Sequence, residues 1–164
     1  MAKFKWNGME EYERKLSRLG AQSGEVARKA VYAAAGLVAD EIQAGVRGLT
    51  TTTATQAIIN YRRGQPSYIT EEQKKGLEEG FGVAKMRDDA GFIHTKLGFD
   101  GYNSVKTRAW PRGQPNAMIA RSCDRGSTSM VRQPFISKAV SQAKKQAEAV
   151  MEQVLDEEIK KIMD

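Results

Sequence analysis

The C-terminal stretch from Pro134 to Asp164 constrains the fold most, because it predicts one uninterrupted amphipathic helix. Proline is tolerated at the first position of a helix, so Pro134 suits its start. About 30 residues at 1.5 Å each give a length of roughly 45 Å, more than the width of a small domain. We therefore expect part of this helix to project and pack against another subunit. The apolar residues that recur at helical spacing are Ile136, Ala139, Val140, Ala143, Ala147, Val150, Val154, Leu155, Ile159 and Ile162.

Three shorter helices are predicted upstream. Asn7 is a suitable cap for a first helix that ends near residue 20. A second helix is expected over about residues 24–46. Its apolar stripe is rich in alanine and glycine, which lets another backbone approach closely. Thr70 begins a capping-box pattern that predicts a third helix over about residues 71–79.

Strand patterns occupy the middle of the chain. Residues 80–86 and 92–99 flank the turn sequence at 88–91 and predict a β-hairpin. The short apolar run 117–123 predicts a third strand. This order of elements indicates an α+β fold, with a small antiparallel sheet of about three to four strands packed on helices. Residues 1–164 are interpreted as a single domain.

The segment 49–69 is interpreted as an extended, flexible arm. It begins with β-branched threonines and ends in loop residues, and its part 54–61 fits either a short helix or a strand. A loop of this length without structure usually has a function or is disordered when alone. We expect it to be mobile in an isolated subunit and to become ordered on assembly.

Positive charge is concentrated in residues 101–133. The chain has a net charge of +6, and this part carries six Lys and Arg against Asp124 alone, a net charge of +5. Such a region suggests an anionic partner, either nucleic acid or an acidic protein face, although a solvated basic loop is the plain alternative. Mixed cations and aromatics suit nucleic acids and subunit interfaces alike. The candidate lumen or subunit-interface residues are Arg62, Arg63, Lys106, Arg108, Trp110, Arg112, Arg121, Arg125, Arg132 and Phe135.

Residues suited to catalysis are few. The chain has one histidine, His94, and one cysteine, Cys123, and it lacks phosphate-loop and metal-binding motifs. The adjacent acidic pairs point about 100° apart on a helix, so they are not convergent carboxylates. We therefore predict no catalytic residue, no cofactor and no metal. An enzyme that uses His94 or Cys123 is the most distant reading. No signal peptide or membrane span is predicted, which favours an intracellular product.

Several segments, in order, carry a family resemblance. They are the alanine-rich helix at 29–36, the strand at 80–86 with a hairpin ending at 98–101, the strand-to-turn segment 121–128, and Gln133-Pro134-Phe135-Ile136 before the terminal helix. Together they resemble the tail-component family of long-tailed, siphovirus-type phages, which contains neck and tail-completion proteins. The chain departs from that family by lacking its usual acidic–aromatic pair before Gly126.

The resemblance implies a non-enzymatic virion structural protein. Such a protein forms a homo-oligomeric ring around the DNA passage, at the head–tail junction or the tail end, and contacts other neck and tail proteins. It is assembled in the cytoplasm of the host bacterium, with no membrane and no small-molecule substrate. A small basic DNA-binding protein is the alternative, supported by the charge of residues 101–133.

Overall fold

A computed structural model describes the backbone from Met9 to Asp164 and the side chains from Glu11 onward, so the expected cap at Asn7 lies outside the described residues. The helices are α1 Met9–Arg47, α2 Ala54–Arg62, α3 Glu71–Gly80, α4 Asn116–Arg125 and α5 Phe135–Met163. The strands are β1 Thr51–Thr52, β2 Ile69–Thr70, β3 Phe81–Val83, β4 Arg87–Asp89, β5 Phe92–His94 and β6 Leu97–Phe99. Helix dominates, yet the mixed α+β prediction is confirmed.

Residues 9–47 form one long helix in a region where two helices were predicted. Helix α1 runs through Gly20 and Gly24 without a break over 39 residues. A glycine inside a helix is only about 1 kcal/mol less favourable than alanine, so it does not have to end one. Both glycines lie where an added Cβ would meet nothing within 4 Å. The expected boundary at residues 20–24 is therefore wrong.

Helices α1 and α5 pack side by side and run antiparallel. Near the C-terminal end of α1, a Cβ added at Gly45 would lie 3.2 Å from Phe135 Cβ, at the start of α5. Towards the other end, Lys29 Nζ donates a hydrogen bond to Glu158 Oε2 at 2.6 Å. The buried positions between these ends are mostly alanines, so the two backbones come close together. They are Ala30, Ala34, Ala35 and Ala39 on α1 and Ala139, Ala143 and Ala147 on α5.

Of the two paired helices, it is α1 and not α5 that extends beyond its partner; this extension of α1 is called the overhang. Helix α5 continues five residues beyond Glu158, whereas α1 continues 20 residues beyond Lys29 towards its N-terminus. About 15 residues of α1, roughly 22 Å, therefore extend past the end of α5. No described side chain in residues 11–25 is buried. The prediction that the C-terminal helix projects is wrong, because the alanine-rich face of α1 covers it.

The predicted β-hairpin is confirmed, but its strands are short. β3 pairs antiparallel with β6, and β4 pairs antiparallel with β5. The turn uses Ala90 at φ 55° and Gly91 at φ 88°. The long strand expected at 92–99 is interrupted between β5 and β6, where the Thr95 hydroxyl donates to the Ala84 carbonyl at 2.7 Å. Side chains still alternate between the buried and the exposed face across the interruption, since Phe99 is buried and Phe92 is exposed.

The segment 49–69 is folded, so the prediction of an extended arm is wrong in its conformation. β1 and β2 form a two-stranded parallel ladder, and helix α2 connects them. Thr53 caps α2 by accepting a hydrogen bond from the Gln56 backbone N–H at 3.2 Å. The expectation that this segment is mobile before assembly stays a prediction.

Residues 117–123 form a helix and not the predicted third strand. Five residues of α4 are buried at a helical spacing, namely Asn116, Ile119, Ala120, Cys123 and Asp124. The sheet content of residues 9–164 is therefore three two-stranded ladders, and none of their strands comes from this segment. The capping box of α3 is confirmed in full. Thr70 Oγ1 accepts from the Gln73 N–H at 3.3 Å, and Gln73 Oε1 accepts from the Thr70 N–H at 2.9 Å.

The hydrophobic core cluster lies where the base of the helical pair meets α3, α4 and β6. Phe99 stacks edge-on against Phe135, with ring centroids 5.9 Å apart, and also contacts Phe81 at 5.2 Å. The buried members of the cluster are Ile42, Val46, Leu49, Ile69, Leu77, Phe99, Ile119, Ala120, Cys123, Met130, Phe135 and Ala139.

Within residues 9–164, no helix is long and apolar enough to cross a membrane.

Candidate interaction surfaces

Residues 102–115 form a compact lobe between β6 and α4. The Asn103 N–H donates to the Gln114 carbonyl at 2.9 Å, and the Gln114 N–H donates to the Val105 carbonyl at 3.1 Å. Thr107 and Trp110 exchange two backbone hydrogen bonds of 3.1 Å at the tip. These backbone hydrogen bonds hold four of the predicted site residues on the surface. All four are exposed, and they are Lys106, Arg108, Trp110 and Arg112.

Two buried asparagines fix the base of the lobe. Asn116 Nδ2 donates to the Asp100 carbonyl at 2.8 Å, and Asn103 Oδ1 accepts from the Val105 N–H at 2.9 Å. Gly76 of α3 packs so closely that an added Cβ would lie 2.5 Å from Asn103 Cβ. One donor, Asn103 Nδ2, and one acceptor, Asn116 Oδ1, are buried without a partner among the described atoms. Polar contacts therefore anchor the base of the lobe, and they leave no room for a side chain at Gly76 of α3.

Three further predicted cations lie on α4 and on the α4–α5 connection. Arg121 and Arg125 are exposed one turn apart on the outer face of α4. Arg132 Nε donates to the Asp124 carbonyl at 3.4 Å, which ties the connection back to the helix. Phe135, also predicted as an interface residue, is buried in the core. Its ring is unavailable to a partner in this conformation of the subunit.

Asp124 caps helix α5 from outside that helix. Its Oδ1 accepts hydrogen bonds from the backbone N–H groups of Ile136 at 2.8 Å and Ser137 at 3.0 Å. Its Oδ2 accepts from the Ser137 hydroxyl at 2.5 Å. A carboxylate is favoured at a helix N-terminus by unpaired N–H groups and by the helix dipole. Sequence reasoning counted Asp124 only as the single acid in a basic region and missed this role.

The α2 tip, defined as Ile58, Tyr61, Arg62, Arg63 and Tyr68, is a second surface of mixed character. The Ile58 side chain is 53% exposed and Tyr61 is 75% exposed. Both arginines, which were predicted as site residues, are also exposed.

The loop that follows the α2 tip lies beside the α4–α5 connection. The Ser67 N–H donates to the Ser129 carbonyl at 3.1 Å, and the Val131 N–H donates to the Ser67 carbonyl at 2.9 Å. These two hydrogen bonds join segments that are far apart in the sequence. The fold therefore attaches the loop after Arg63 to the connection that carries Arg132.

The cations of these surfaces are not neutralised by any carboxylate in the part of the chain that the structure describes. Among residues 11–164, whose side chains the structure describes, no ion pair involves Arg62, Arg63, Lys106, Arg108, Arg112, Arg121 or Arg125. Exposed and unpaired guanidinium groups are available to phosphates or carboxylates of a partner.

The acidic face of α3, defined as Glu71, Glu72, Glu78 and Glu79, is the counterpart of the basic surfaces. All four carboxylates are exposed, and the opposite side of the helix is buried. Lys75 offsets part of this charge through an ion pair with Glu79 at 3.7 Å. From the sequence, the adjacent pairs Glu71–Glu72 and Glu78–Glu79 were judged only to be non-convergent carboxylates, and their common exposed face was not foreseen.

Lys74 adds little to the charge balance of that face, because its ammonium group is occupied elsewhere. Its Nζ donates hydrogen bonds to the Arg47 carbonyl at 2.8 Å and to the Leu49 carbonyl at 3.2 Å. A cation on these carbonyls is favourable, because the C-terminal end of a helix carries partial negative charge. Lys74 thus joins α3 to the end of α1.

The two residues considered for catalysis have structural surroundings. His94 Nε2 lies 3.5 Å from Asp89 Oδ2 across the β4–β5 ladder, and its ring stacks near Phe92. Burial, with a smaller effect from the Asp124 charge, raises the pKa of the Cys123 thiol to about 11. Such a thiol is protonated at neutral pH and is a weak nucleophile. Within the described residues, no group of three or more His, Cys, Asp and Glu is placed to hold a metal ion.

Comparison of the chain with protein-family models, with curated proteins and with solved structures found no significant match.

Proposed function

We propose that this chain is a non-enzymatic subunit of a ring at the head–tail junction or tail end of a long-tailed phage, located in the virion around the DNA passage. The observation that carries the proposal is the lobe at 102–115, where three exposed cations beside Trp110 form no ion pair with the side chains of residues 11–164. A positive surface of this kind attracts passing phosphates without reading their sequence.

The resemblance to tail-component proteins supports the proposal through three remaining features. They are the alanine-rich part of α1, the hairpin that ends near Phe99, and the Pro134-Phe135 start of α5. The segment 121–128 no longer contributes as a strand-to-turn element, because it begins in α4. Its turn does lead directly into the terminal helix, in the order that the resemblance implies.

Ring formation needs two different surfaces on each subunit, because neighbours in a ring meet head to tail. The subunit carries exposed apolar side chains on separate elements, including Tyr32 on α1, Ile58 on α2 and Phe92 on β5. Such side chains gain free energy when a neighbour covers them. The partners are then further copies of this chain and other neck and tail proteins.

Light scattering after size exclusion, together with electron microscopy of the purified protein, tests the proposal. We expect rings with a central opening, or addition of the protein to isolated tails. A compact monomer at every concentration, together with absence of the protein from purified virions, would refute it. The lobe variant Lys106→Ser/Arg108→Ser/Arg112→Ser should still form rings, because the proposal places the lobe at the DNA passage.

A small basic DNA-binding protein is the second candidate, favoured by the same unpaired cations. Titration of short duplex DNA with the purified protein decides this case. Tight binding by the monomer, with affinity falling steeply as salt rises, favours it. Lack of binding at moderate salt removes it. The matched control for the lobe variant is Lys144→Ser/Lys145→Ser/Lys160→Ser. It removes the same amount of positive charge at exposed positions of α5, away from the lobe.

A further inference from the structure

Helix α2 is held only weakly by its own subunit. None of its nine described residues is buried, and two large side chains, Ile58 and Tyr61, are more than half exposed. A helix this short is marginal in water and normally depends on packing of an apolar face. The outer side of α2 therefore has the character of a surface that a partner covers.

The chemistry of the α2 tip specifies what that partner offers. Tyr61 provides an amphipathic aromatic anchor, and Arg62 and Arg63 follow it directly. Tyrosine and arginine are the residue types that most often dominate protein interfaces. Guanidinium groups bind carboxylates through paired hydrogen bonds. The complementary surface therefore presents several exposed carboxylates on a rigid element.

The acidic face of α3 has this chemistry. Glu71 and Glu78 are seven residues apart, as are Glu72 and Glu79, so two carboxylates occupy each end of the helix. The buried residues Gln73, Gly76 and Leu77 on the opposite side keep this face outward. No described ion pair joins the arginines of the α2 tip to α3 of the same subunit.

We infer that the α2 tip of one subunit docks on the acidic face of α3 of a second copy of this chain. The two surfaces differ, so the contact is heterologous and generates a ring or a helical filament. The inference rests on the proposed ring and names the contact between its neighbours. It assigns Arg62 and Arg63 to the subunit interface and not to the DNA passage.

Charge reversal tests the pairing. Arg62→Glu/Arg63→Glu places carboxylates opposite carboxylates, and Glu78→Arg/Glu79→Arg places guanidinium groups opposite each other. Each double variant should weaken assembly by about tenfold or more, measured by analytical ultracentrifugation. The quadruple variant that carries both reversals should regain assembly, because the attraction is restored with opposite polarity.

The matched control is Lys144→Glu/Lys145→Glu, which makes the same charge change at exposed positions of α5. It should assemble like the original protein. Circular dichroism of every variant checks that the helices are retained. The α2 tip is exposed, so its reversal should leave folding intact.

The outcomes separate this inference from the proposed function. If the original protein is monomeric at every concentration, the docking inference fails, and the proposed function fails with it only if the protein is also absent from purified virions. If it forms rings and both double variants form the same rings, the docking inference is wrong while the ring stands. Failure of the quadruple variant to regain assembly also overturns the pairing. A variant at Arg62 and Arg63 that assembles normally but loses DNA binding assigns the α2 tip to nucleic acid and overturns it too.

Discussion

Replacement of Asp124 by alanine should destabilise the protein out of proportion to the small volume removed. The carboxylate is 7% exposed and accepts three hydrogen bonds at the start of α5. Two of the donors are backbone N–H groups, which have no alternative partner inside the helix. Alanine leaves these groups without an acceptor in a partly buried site. The lost contact also joins α4 to α5, so its removal loosens two elements.

The expected loss follows from the contacts. Removal of a helix cap destabilises by about 0.5–2 kcal/mol, and hydrogen bonds to a charged group contribute about 1.5–3 kcal/mol. Since the three bonds share one carboxylate, their contributions do not add in full. We expect Asp124→Ala to reduce the free energy of unfolding by about 2–4 kcal/mol. Asp124→Asn should lose about 1 kcal/mol, because the amide oxygen still accepts from both N–H groups.

Equilibrium unfolding in urea measures these differences, with all variants at one protein concentration because assembly would add to apparent stability. Ser137→Ala is the matched control. It removes only the hydroxyl bond to Asp124 Oδ2 and should lose about 1 kcal/mol. The capping argument is refuted if Asp124→Ala is no less stable than Ser137→Ala, or if it lies within about 0.5 kcal/mol of the original protein.

Three further predictions concern packing, pH and thiol chemistry. Gly76→Ala should destabilise by about 1–3 kcal/mol in thermal unfolding, since the new methyl would lie 2.5 Å from Asn103 Cβ, whereas Gly82→Ala, with open space around it, should not. Hydrogen bonds from Lys161 and Lys29 lower the pKa of Glu158 from 4.5 to about 2. The contribution of Glu158 to the free energy of unfolding is therefore complete above pH 4.5 and is lost as the pH falls towards 2. The difference in free energy of unfolding between Glu158→Gln and the original protein, measured in urea, should therefore shrink as the pH falls from 4.5 towards 2. A difference that stays constant with pH would contradict this role of Glu158. Alkylation of Cys123 at neutral pH should be slow in the folded protein and fast in urea, because its pKa is raised to about 11.

Local signals in the sequence were sufficient for several elements. The capping box at Thr70 places α3 to within one residue of its observed end. The turn at 88–91 places the hairpin, and Pro134 marks the start of α5. Each of these features depends on residues only a few positions apart. Capping and turn chemistry of this kind acts before any tertiary contact forms.

The misjudged elements are those that tertiary packing decides. A short apolar run such as 117–123 has no period long enough to separate a strand from a buried helix. As a helix, this run places Ile119, Ala120 and Cys123 on one buried face, and that face depends on residues far away in the sequence. The glycines at 20 and 24 also permitted two interpretations. The continuous form of α1 across them follows from neither residue alone.

Exposure of the candidate site was easier to predict than its arrangement. Charged side chains lie on surfaces by default, and the predicted arginines and lysines do so. Phe135 was misplaced because a lone aromatic in sequence can serve a core or an interface equally well. Its burial against Phe99 depends on a residue 36 positions away. The acidic face of α3 was missed because facing directions depend on which side of the helix packs inward.

The overhang of α1 divides the molecule into parts of unequal rigidity. The large side chains of the core gather at the base of the helical pair, whereas residues 11–25 bury no described side chain. Amide protons in a helix segment without buried side chains exchange through local fraying, while those in the core exchange only when the whole structure opens. Within α1, the slowest-exchanging amides should therefore lie at its C-terminal end, and protection should decline towards Glu11. The length of the overhang can then change among variants of this chain without any adjustment of the core.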